Sequence, residues 1–416
     1  MTVIIIGGGG REHAIAWKLK KDDDSVNIIA IPGNGGMSDI AECVSLDVQD
    51  IAKVADFSVE RKVDYVIVGP EVPLSLGISE ILAKKGMKVF GPCMKGAMLE
   101  SSKIFAKQFM KKYNIPTAYF KVIGSYEEGL SIIKKKKYPC VLKYDGLAAG
   151  KGVIVAENSY DAMLFLKDIY INDIFGKENR KVLVEDYLEG KELSYLVFTD
   201  TKNFVPMVPV KDYKRVFDGD KGPNTGGMGC YSPPFVFNDA LEAKIKHSIV
   251  IPTMEGLTQE NIDYRGVLYF GLMVTDKGPY LLEYNVRFGD PETQVILTRM
   301  GSPLLEVVDA VIDKKLSNIQ IKWSSNKSLC VILTSAGYPG NYSKGKIIKG
   351  LDAVKDVVVF HAGTDRRNGN IITSGGRVLC ITAVDTNIEK ARQTVYKAAS
   401  IIDFEGKHYR RDIGMN

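Results

Sequence analysis

Y-L-L-E-Y-N-V-R-F-G-D-P-E-T-Q, residues 280–294, begins as an extended strand and ends in a turn that leads into a helix. Residues two apart on a strand share a face, so Glu283, Asn285 and Arg287 are expected on one side and Leu282, Tyr284 and Val286 on the other. A carboxylate and an amide oxygen side by side are hard ligands of the kind Mg²⁺ takes, with water and phosphate oxygens completing its shell. An arginine one pleat further on has a planar fork that suits an anion's two oxygens. Gly289-Asp290-Pro291-Glu292 then stops the strand, with Pro291 in the first turn of the helix. A charged strand that ends this way reads as the floor of a site.

Just upstream, 264–274 alternates and is expected to pair with this strand as a hairpin across Asp276-Lys277-Gly278-Pro279. Further back, Pro139–Lys143 and Val153–Ala156 read as strands joined by Y-D-G-L-A-A-G-K-G at 144–152. Such a glycine-rich hairpin can lay backbone N–H groups over phosphates. It is not a Walker A loop, because only three residues separate Gly146 from Gly150-Lys151, no Ser or Thr follows the lysine, and a strand comes next. Helices are expected over Lys103–Tyr113 and Ser125–Lys137. Glu185-Asp186-Tyr187-Leu188 reads as a connector whose backbone can read an adenine, and Glu192 as a carboxylate near the ribose. Asp212, Lys214 and Arg215 precede a loop at 218–231 that contains G-P-N-T-G-G-M-G. That many glycines suit close approach of backbone to a ligand.

The first hundred residues alternate strand and helix, which predicts a parallel sheet covered on both faces. Strands are expected at Val3–Ile6, Val26–Ile31, Val63–Val68 and Lys88–Phe90, with helices from Arg11, over Ile51–Arg61 and over Ser75–Lys85. Gly7-Gly8-Gly9-Gly10 suggests a phosphate at a helix N-terminus. Gly69-Pro70-Glu71 forms a second loop at the same sheet edge, where Glu71 can meet a sugar hydroxyl or amine. A dinucleotide fingerprint is excluded: the third glycine would fall at Glu12 or His13, and the second strand runs into Ile31-Pro32-Gly33-Asn34 rather than an acidic residue. His13 reads equally as a packed residue or a ligand.

The 416 residues predict two to four domains of ordinary globular composition, 45% apolar and 25% charged. A net charge of +5 with scattered Lys and Arg gives no nucleic-acid surface, and Lys134–Lys137 reads as a solvated helix end. Six widely spaced cysteines form neither a zinc motif nor a disulfide framework. The opening M-T-V-I-I-I-G is too short for a signal peptide and no run approaches a membrane span, so a cytoplasmic protein is expected.

Taken together, G-G-G-G-R-E-H-A at 7–14, G-P-E-V-P-L at 69–74, K-Y-D-G-L-A-A-G-K-G-V at 143–153, G-P-N-T-G-G-M-G at 222–229 and R-F-G-D-P-E-T-Q at 287–294 resemble the phosphoribosylamine–glycine ligase family of the ATP-grasp superfamily. The motifs follow family order across nearly the whole chain. The resemblance implies an α/β protein with a Rossmann-like domain at 1–102, an ATP-grasp domain at 103–316 with a mobile lid at about 116–188, and a small strand-rich domain at 328–416. It implies ATP, Mg²⁺ or Mn²⁺, glycine and 5-phosphoribosylamine as the only partners, without nucleic acid or membrane, and a monomer. On the same ground Lys103, Lys143, Gly146, Gly150, Lys151, Gly152, Glu185, Leu188 and Glu192 hold the nucleotide. Gly8, Gly9, Gly10, Glu71, Asp212, Asn224, Gly226 and Arg287 meet the other substrates. Glu283 and Asn285 bind metal, and Arg287 and Lys143 are the catalytic candidates. Many relatives in the wider superfamily carry a further metal carboxylate on the preceding strand, but here it reads Phe270-Gly271-Leu272-Met273-Val274. The final domain contains nothing that reads as catalytic, although in the family it packs against the first and helps close the site.

Overall fold

The computed structural model describes residues 1–148, 152–176 and 180–415. Five parallel strands open the chain: β1 (Thr2–Gly7), β2 (Asn27–Pro32), β3 (Glu42–Cys43), β4 (Tyr65–Val68) and β5 (Lys88–Phe90), in the order β3-β2-β1-β4-β5. Val3 and Ile5 belong to one apolar core and Ile4 and Ile6 to another, so both faces of β1 are covered, as an unbroken V-I-I-I run requires. Strand order reverses between β1 and β4. The loops that leave these two strands, Gly7–Gly10 and Gly69–Glu71, therefore flank the crevice where open α/β sheets bind ligands.

Where one helix is expected over Ser75–Lys85 there are two, Glu71–Ser75 and Ile78–Lys84. Gly77, at φ +90°, breaks them apart, a conformation that side chains with a Cβ resist. Glu71 thus opens a helical turn rather than hanging in a loop. The helix expected over Ser125–Lys137 is only Tyr126–Ile133, capped by the Ser125 hydroxyl, which accepts the Glu128 N–H at 3.2 Å.

β6 (Phe120–Ile123), β7 (Cys140–Tyr144), β8 (Val153–Ala156) and β9 (Val182–Asp186) form a separate antiparallel sheet in the order β6-β9-β7-β8. With helices Tyr126–Ile133 and Ser159–Tyr170 it encloses its own core around Leu142, Phe165, Leu166 and Val184. β10 (Lys191–Thr199) and β11 (Phe204–Pro206) pair with the hairpin Gly266–Thr275/Gly278–Asn285 to make the base sheet beneath it. The two faces of the base sheet share the two cores of the parallel sheet: Tyr195, Phe270 and Tyr284 join one, Leu196, Phe198 and Val267 the other. The first domain and the base are thus one packed body, and the antiparallel sheet β6-β9-β7-β8, where the lid is expected, is joined to it through two short crossings.

A last sheet runs through Lys327–Thr334, Arg377–Asp385 and Val358–His361. It also takes in Lys211–Asp212 and Gly229–Ser232 from the middle of the chain. The glycine-rich stretch at 218–231 is therefore not simply a loop; its first half is a two-stranded ribbon, Arg215–Phe217 against Lys221–Asn224. Buried Arg410 fastens this ribbon, with Nη1 on Arg215 O at 3.0 Å and on Asp220 at 2.7 Å. No helix among the described residues is long and apolar enough to cross a membrane.

Candidate active site

The strand at the head of the chain's charged stretch departs from simple alternation. Its register shifts by one residue against the neighbouring strand, Gly271 opposing Glu283 but Leu272 opposing Leu281. Leu282 is the extra residue of a bulge. Leu281, Tyr284 and Val286 pack into the core, while Leu282 lines the same recess as Glu283, contrary to the expected face. Strict periodicity cannot foresee a bulge, which is placed by the neighbouring strand. Gly271 is what faces Glu283: a Cβ there would lie 3.2 Å from Glu283 Cγ.

Around this recess stand the lysines. Lys143 Nζ lies 3.1 Å from Glu185 and donates to Leu282 O at 3.2 Å. Lys103 Nζ donates to Gly146 O at 2.9 Å, which ties the base to the hairpin over it. Asp145, to which sequence reasoning gave no role, sets this up: it accepts from Ser102 Oγ and from Ile104 N, each at 3.0 Å, at the start of the helix carrying Lys103. Lys214 stands 3.6 Å from Glu192 and 3.9 Å from Glu283. Glu192 in particular holds the Lys214 ammonium well above the usual lysine range. Burial would raise the Glu283 carboxyl, but Lys214, Lys143, Lys103 and Arg287 together keep it below the usual range. Leu188 sits half-buried in the connector after β9. The side chain of Glu185 is buried between Lys107 and Lys143, so only its backbone is placed to read a base. Gly152 closes the base of the hairpin by accepting the Tyr144 N–H at 2.7 Å; Gly150 and Lys151 lie outside the described residues.

Glu283 and Asn285 suit a divalent ion by their chemistry: one ionised carboxylate and one amide oxygen, oriented by Arg287 Nη2, which donates to Asn285 Oδ1 at 3.2 Å. No group of three or more His, Cys, Asp or Glu among the described residues is arranged to hold a metal. A two-residue set with substrate oxygens is the form Mg²⁺ usually takes.

Arg287 itself corrects an expectation. Its fork is already engaged, Nε by Glu71 at 3.1 Å and Nη2 by Glu100 at 2.9 Å. Glu71, expected to meet substrate, faces this guanidinium instead. Burial opposes its ionisation, yet Arg287 and Arg11 hold its carboxyl below the usual range. Glu100, fully buried and pushed upward by desolvation, also accepts the Val286 N–H at 2.7 Å. The network joins the first domain to the end of the strand that carries Glu283 and Asn285, and strand periodicity carries no trace of it.

A second cleft opens where the first and last domains meet. A cavity of about 430 Å³ is lined by Gly8, Gly9, Asn34, Asp290, Thr364 and Arg377, among others. Gly10 is not at this wall, and Asn224 is exposed on its ribbon. Gly9 offers less than the tetraglycine promises. Its N–H donates to Glu12 Oε2 at 2.6 Å, so an internal carboxylate already occupies the helix N-terminus. The cation here is Arg377, which no sequence motif marks. It pairs with Asp290 at 3.1 Å and donates to Gly226 O and Asp290 O, each at 2.7 Å. Gly226 is thereby brought to the rim, and Gly227, at φ +117°, turns the chain past Asp212. Burial and the nearby Glu292 push the Asp212 carboxyl well above its usual value. His13 proves a packing residue. Its Nδ1 accepts the His361 N–H at 2.9 Å, and burial drives its pKa down to about 3.

Family models for the N, ATP-grasp (A) and C domains of phosphoribosylglycinamide synthetase match residues 1–100, 101–293 and 328–416. The chain belongs to the phosphoribosylglycinamide synthetase family. It is 46% identical over 414 residues to the phosphoribosylamine–glycine ligase of Caldanaerobacter subterraneus subsp. tengcongensis, covering 99% of each chain. The crystal structure of the phosphoribosylamine–glycine ligase of Thermotoga maritima superposes with a TM-score of 0.85 at 36% identity, over 100% of both chains. The biotin carboxylase domain of the Hydrogenobacter thermophilus 2-oxoglutarate carboxylase shares the fold alone, with a TM-score of 0.75 at 16% identity over 98% of this chain and 91% of that one. As a member of this family the chain is a ligase with an ATP-grasp domain, acting on small molecules and using ATP with a divalent metal.

Proposed function

We propose that this synthetase joins glycine to 5-phosphoribosylamine, with ATP cleaved to ADP and phosphate, and that its two clefts divide the work. The observation that carries the reading is the continuity of residues 283–290: Glu283 lines the recess beside Lys214, Asn285 follows two residues on and is held by Arg287, and Asp290 lines the cavity at the other end. ATP lies between lid and base, with Lys103 and Lys143 on its phosphates, the hairpin over them, and Leu188 and Glu192 at adenine and ribose. Mg²⁺ or Mn²⁺ on Glu283 and Asn285 supplies, when bound, positive charge to the phosphoryl oxygens. Phosphoribosylamine occupies the 430 Å³ cavity, with Arg377 as the cation for its phosphate.

A carboxylate is a poor electrophile, so the glycine carboxylate first takes the γ-phosphoryl group of ATP to become glycyl phosphate. The amine then attacks the acyl carbon and phosphate leaves, giving glycinamide ribonucleotide. Little covalent chemistry falls to the protein; positioning and charge neutralisation carry the rate. Lys143 is the catalytic cation, and Arg287 positions Asn285 and adds long-range positive charge. The lid moves as a unit on its own core, the chain acts as a monomer, and the reaction runs in the cytoplasm.

The test is ADP release with glycine, with and without phosphoribosylamine. Sustained turnover requires both substrates under this reading. Equal turnover without the amine, or with bicarbonate in place of glycine, would instead identify another ATP-grasp activity.

A further inference from the structure

Lys107 has no place in the scheme above, yet it is among the most deeply buried charges in the chain, at 2% exposure. It sits one turn after Lys103 on the helix Lys103–Lys112 of the base. Its Nζ is 3.0 Å from Glu185 Oε2 and donates to Thr117 Oγ1 at 2.6 Å. Thr117 donates in turn to Leu281 O at 2.6 Å, and the adjacent Pro116 O accepts the Leu281 N–H at 2.8 Å. Thr117 lies on the crossing into the lid and Glu185 at the start of the crossing out. Leu281 belongs to the strand that carries Glu283 and Asn285. One ammonium therefore touches both crossings.

The carboxylate it faces has two counter-charges. Glu185 Oε1 lies 3.1 Å from Lys143 and lacks any hydrogen-bond partner of good geometry. A buried carboxylate needs one compensating cation; losing its last one leaves an uncompensated charge, the costly case for a buried pair. Lys143 cannot grip nucleotide phosphates at full strength while it serves as Glu185's partner. Lys107 cannot follow it outward, being enclosed and tied to Thr117. Burial brings the Lys107 pKa down to about 8; Glu185 opposes that fall and the neighbouring Lys143 adds to it, a repulsion relieved when Lys143 turns to phosphate.

We infer that Lys107 is a positioning residue: as the permanent counter-ion of Glu185, it releases Lys143 to exchange that carboxylate for the phosphates of the nucleotide. The inference rests on the nucleotide reading of the cleft and adds a specific dependence to it.

The experiment is calorimetric titration of the full-length chain with MgADP, for wild type, Lys107→Met, Glu185→Gln and the double variant, with folding checked by thermal midpoint. Lys107→Met is expected to weaken binding about tenfold or more, a loss of roughly 1.4 kcal/mol or more. The double variant, in which nothing holds Lys143 back, is expected to return to within about threefold of wild type. A merely structural lysine would give no such rescue. Binding by Lys107→Met within about threefold of wild type, or a double variant no better than the single one, overturns the inference. If Lys107→Met does not fold, Glu185→Gln alone decides: affinity equal to or tighter than wild type is expected, and a loss beyond about threefold overturns it. A wild type that does not bind MgADP would instead refute the nucleotide reading on which the inference stands.

Discussion

The two clefts hold their charges in opposite ways. In the recess assigned above to the nucleotide, Lys103, Lys107, Lys143 and Lys214 stand among Glu185, Glu192, Glu283 and Asp212, several cations gathered in one place. At the cavity between the first and last domains, Arg377 is matched by Asp290 and by two backbone carbonyls before any ligand arrives. The first arrangement suits capture of charge, and under the inference above its cations exchange partners as the nucleotide binds. The second favours recognition by shape, with a guanidinium fixed in place. Between them Arg287, held by Glu71 and Glu100, works as a strut rather than a free hand.

The largest effect is expected at the strand that carries Glu283 and Asn285. Glu283→Gln should lower turnover on the order of 10²-fold or more, because the missing charge acts while phosphoryl oxygens redistribute theirs. The Michaelis constant for phosphoribosylamine should stay within twofold. If both constants move together in steady-state assays, the clefts are not separate.

Arg287→Lys tests the strut. Loss of a partner that orients a metal ligand costs roughly 10- to 100-fold in activity. A lysine cannot serve Glu71, Glu100 and Asn285 together, so the thermal midpoint should also fall, by an amount corresponding to about 1–3 kcal/mol. An unchanged midpoint would mean that the guanidinium was free for substrate after all.

Arg377→Gln sharpens the other side. Removing one charged donor should raise the Michaelis constant for phosphoribosylamine by roughly tenfold, with that for ATP unchanged. A selective effect on ATP would assign the cavity to the wrong substrate.

The smallest expected effect concerns the wall behind that cavity. Burial holds the pKa of His13 at about 3 and that of His361 at about 4, both below the unfolded value of 6.5. Between about pH 6.5 and 4 the unfolded chain therefore binds protons that the folded one does not. Stability falls as pH drops through this window, by up to about 1.4 kcal/mol per pH unit for each histidine. His13→Asn, which keeps an acceptor for the His361 N–H, should flatten the slope of thermal midpoint against pH; an unchanged slope would exclude His13 as its source.

Much of this molecule was legible before it was folded. The apolar V-I-I-I run, the strand–helix alternation and the hairpin across Asp276–Pro279 have local causes, periodicity and turn chemistry, which act over a few residues. The placement of Glu283 and Asn285 on one strand was readable for the same reason, while Lys103 and Lys143 were picked out only by the family resemblance. What only tertiary structure decided was which charges meet. Glu71 and Glu100 reach Arg287 from about two hundred residues away, Arg377 meets Asp290 across a domain boundary, and Lys107 finds Glu185 on the last strand of the neighbouring antiparallel sheet. A buried ion pair leaves no periodic mark, because its two halves are chosen by the cost of burying either alone and not by the spacing of the residues around them. The same holds for the bulge at Leu282: it is an answer to the neighbouring strand, which lies beside it only once the chain has folded.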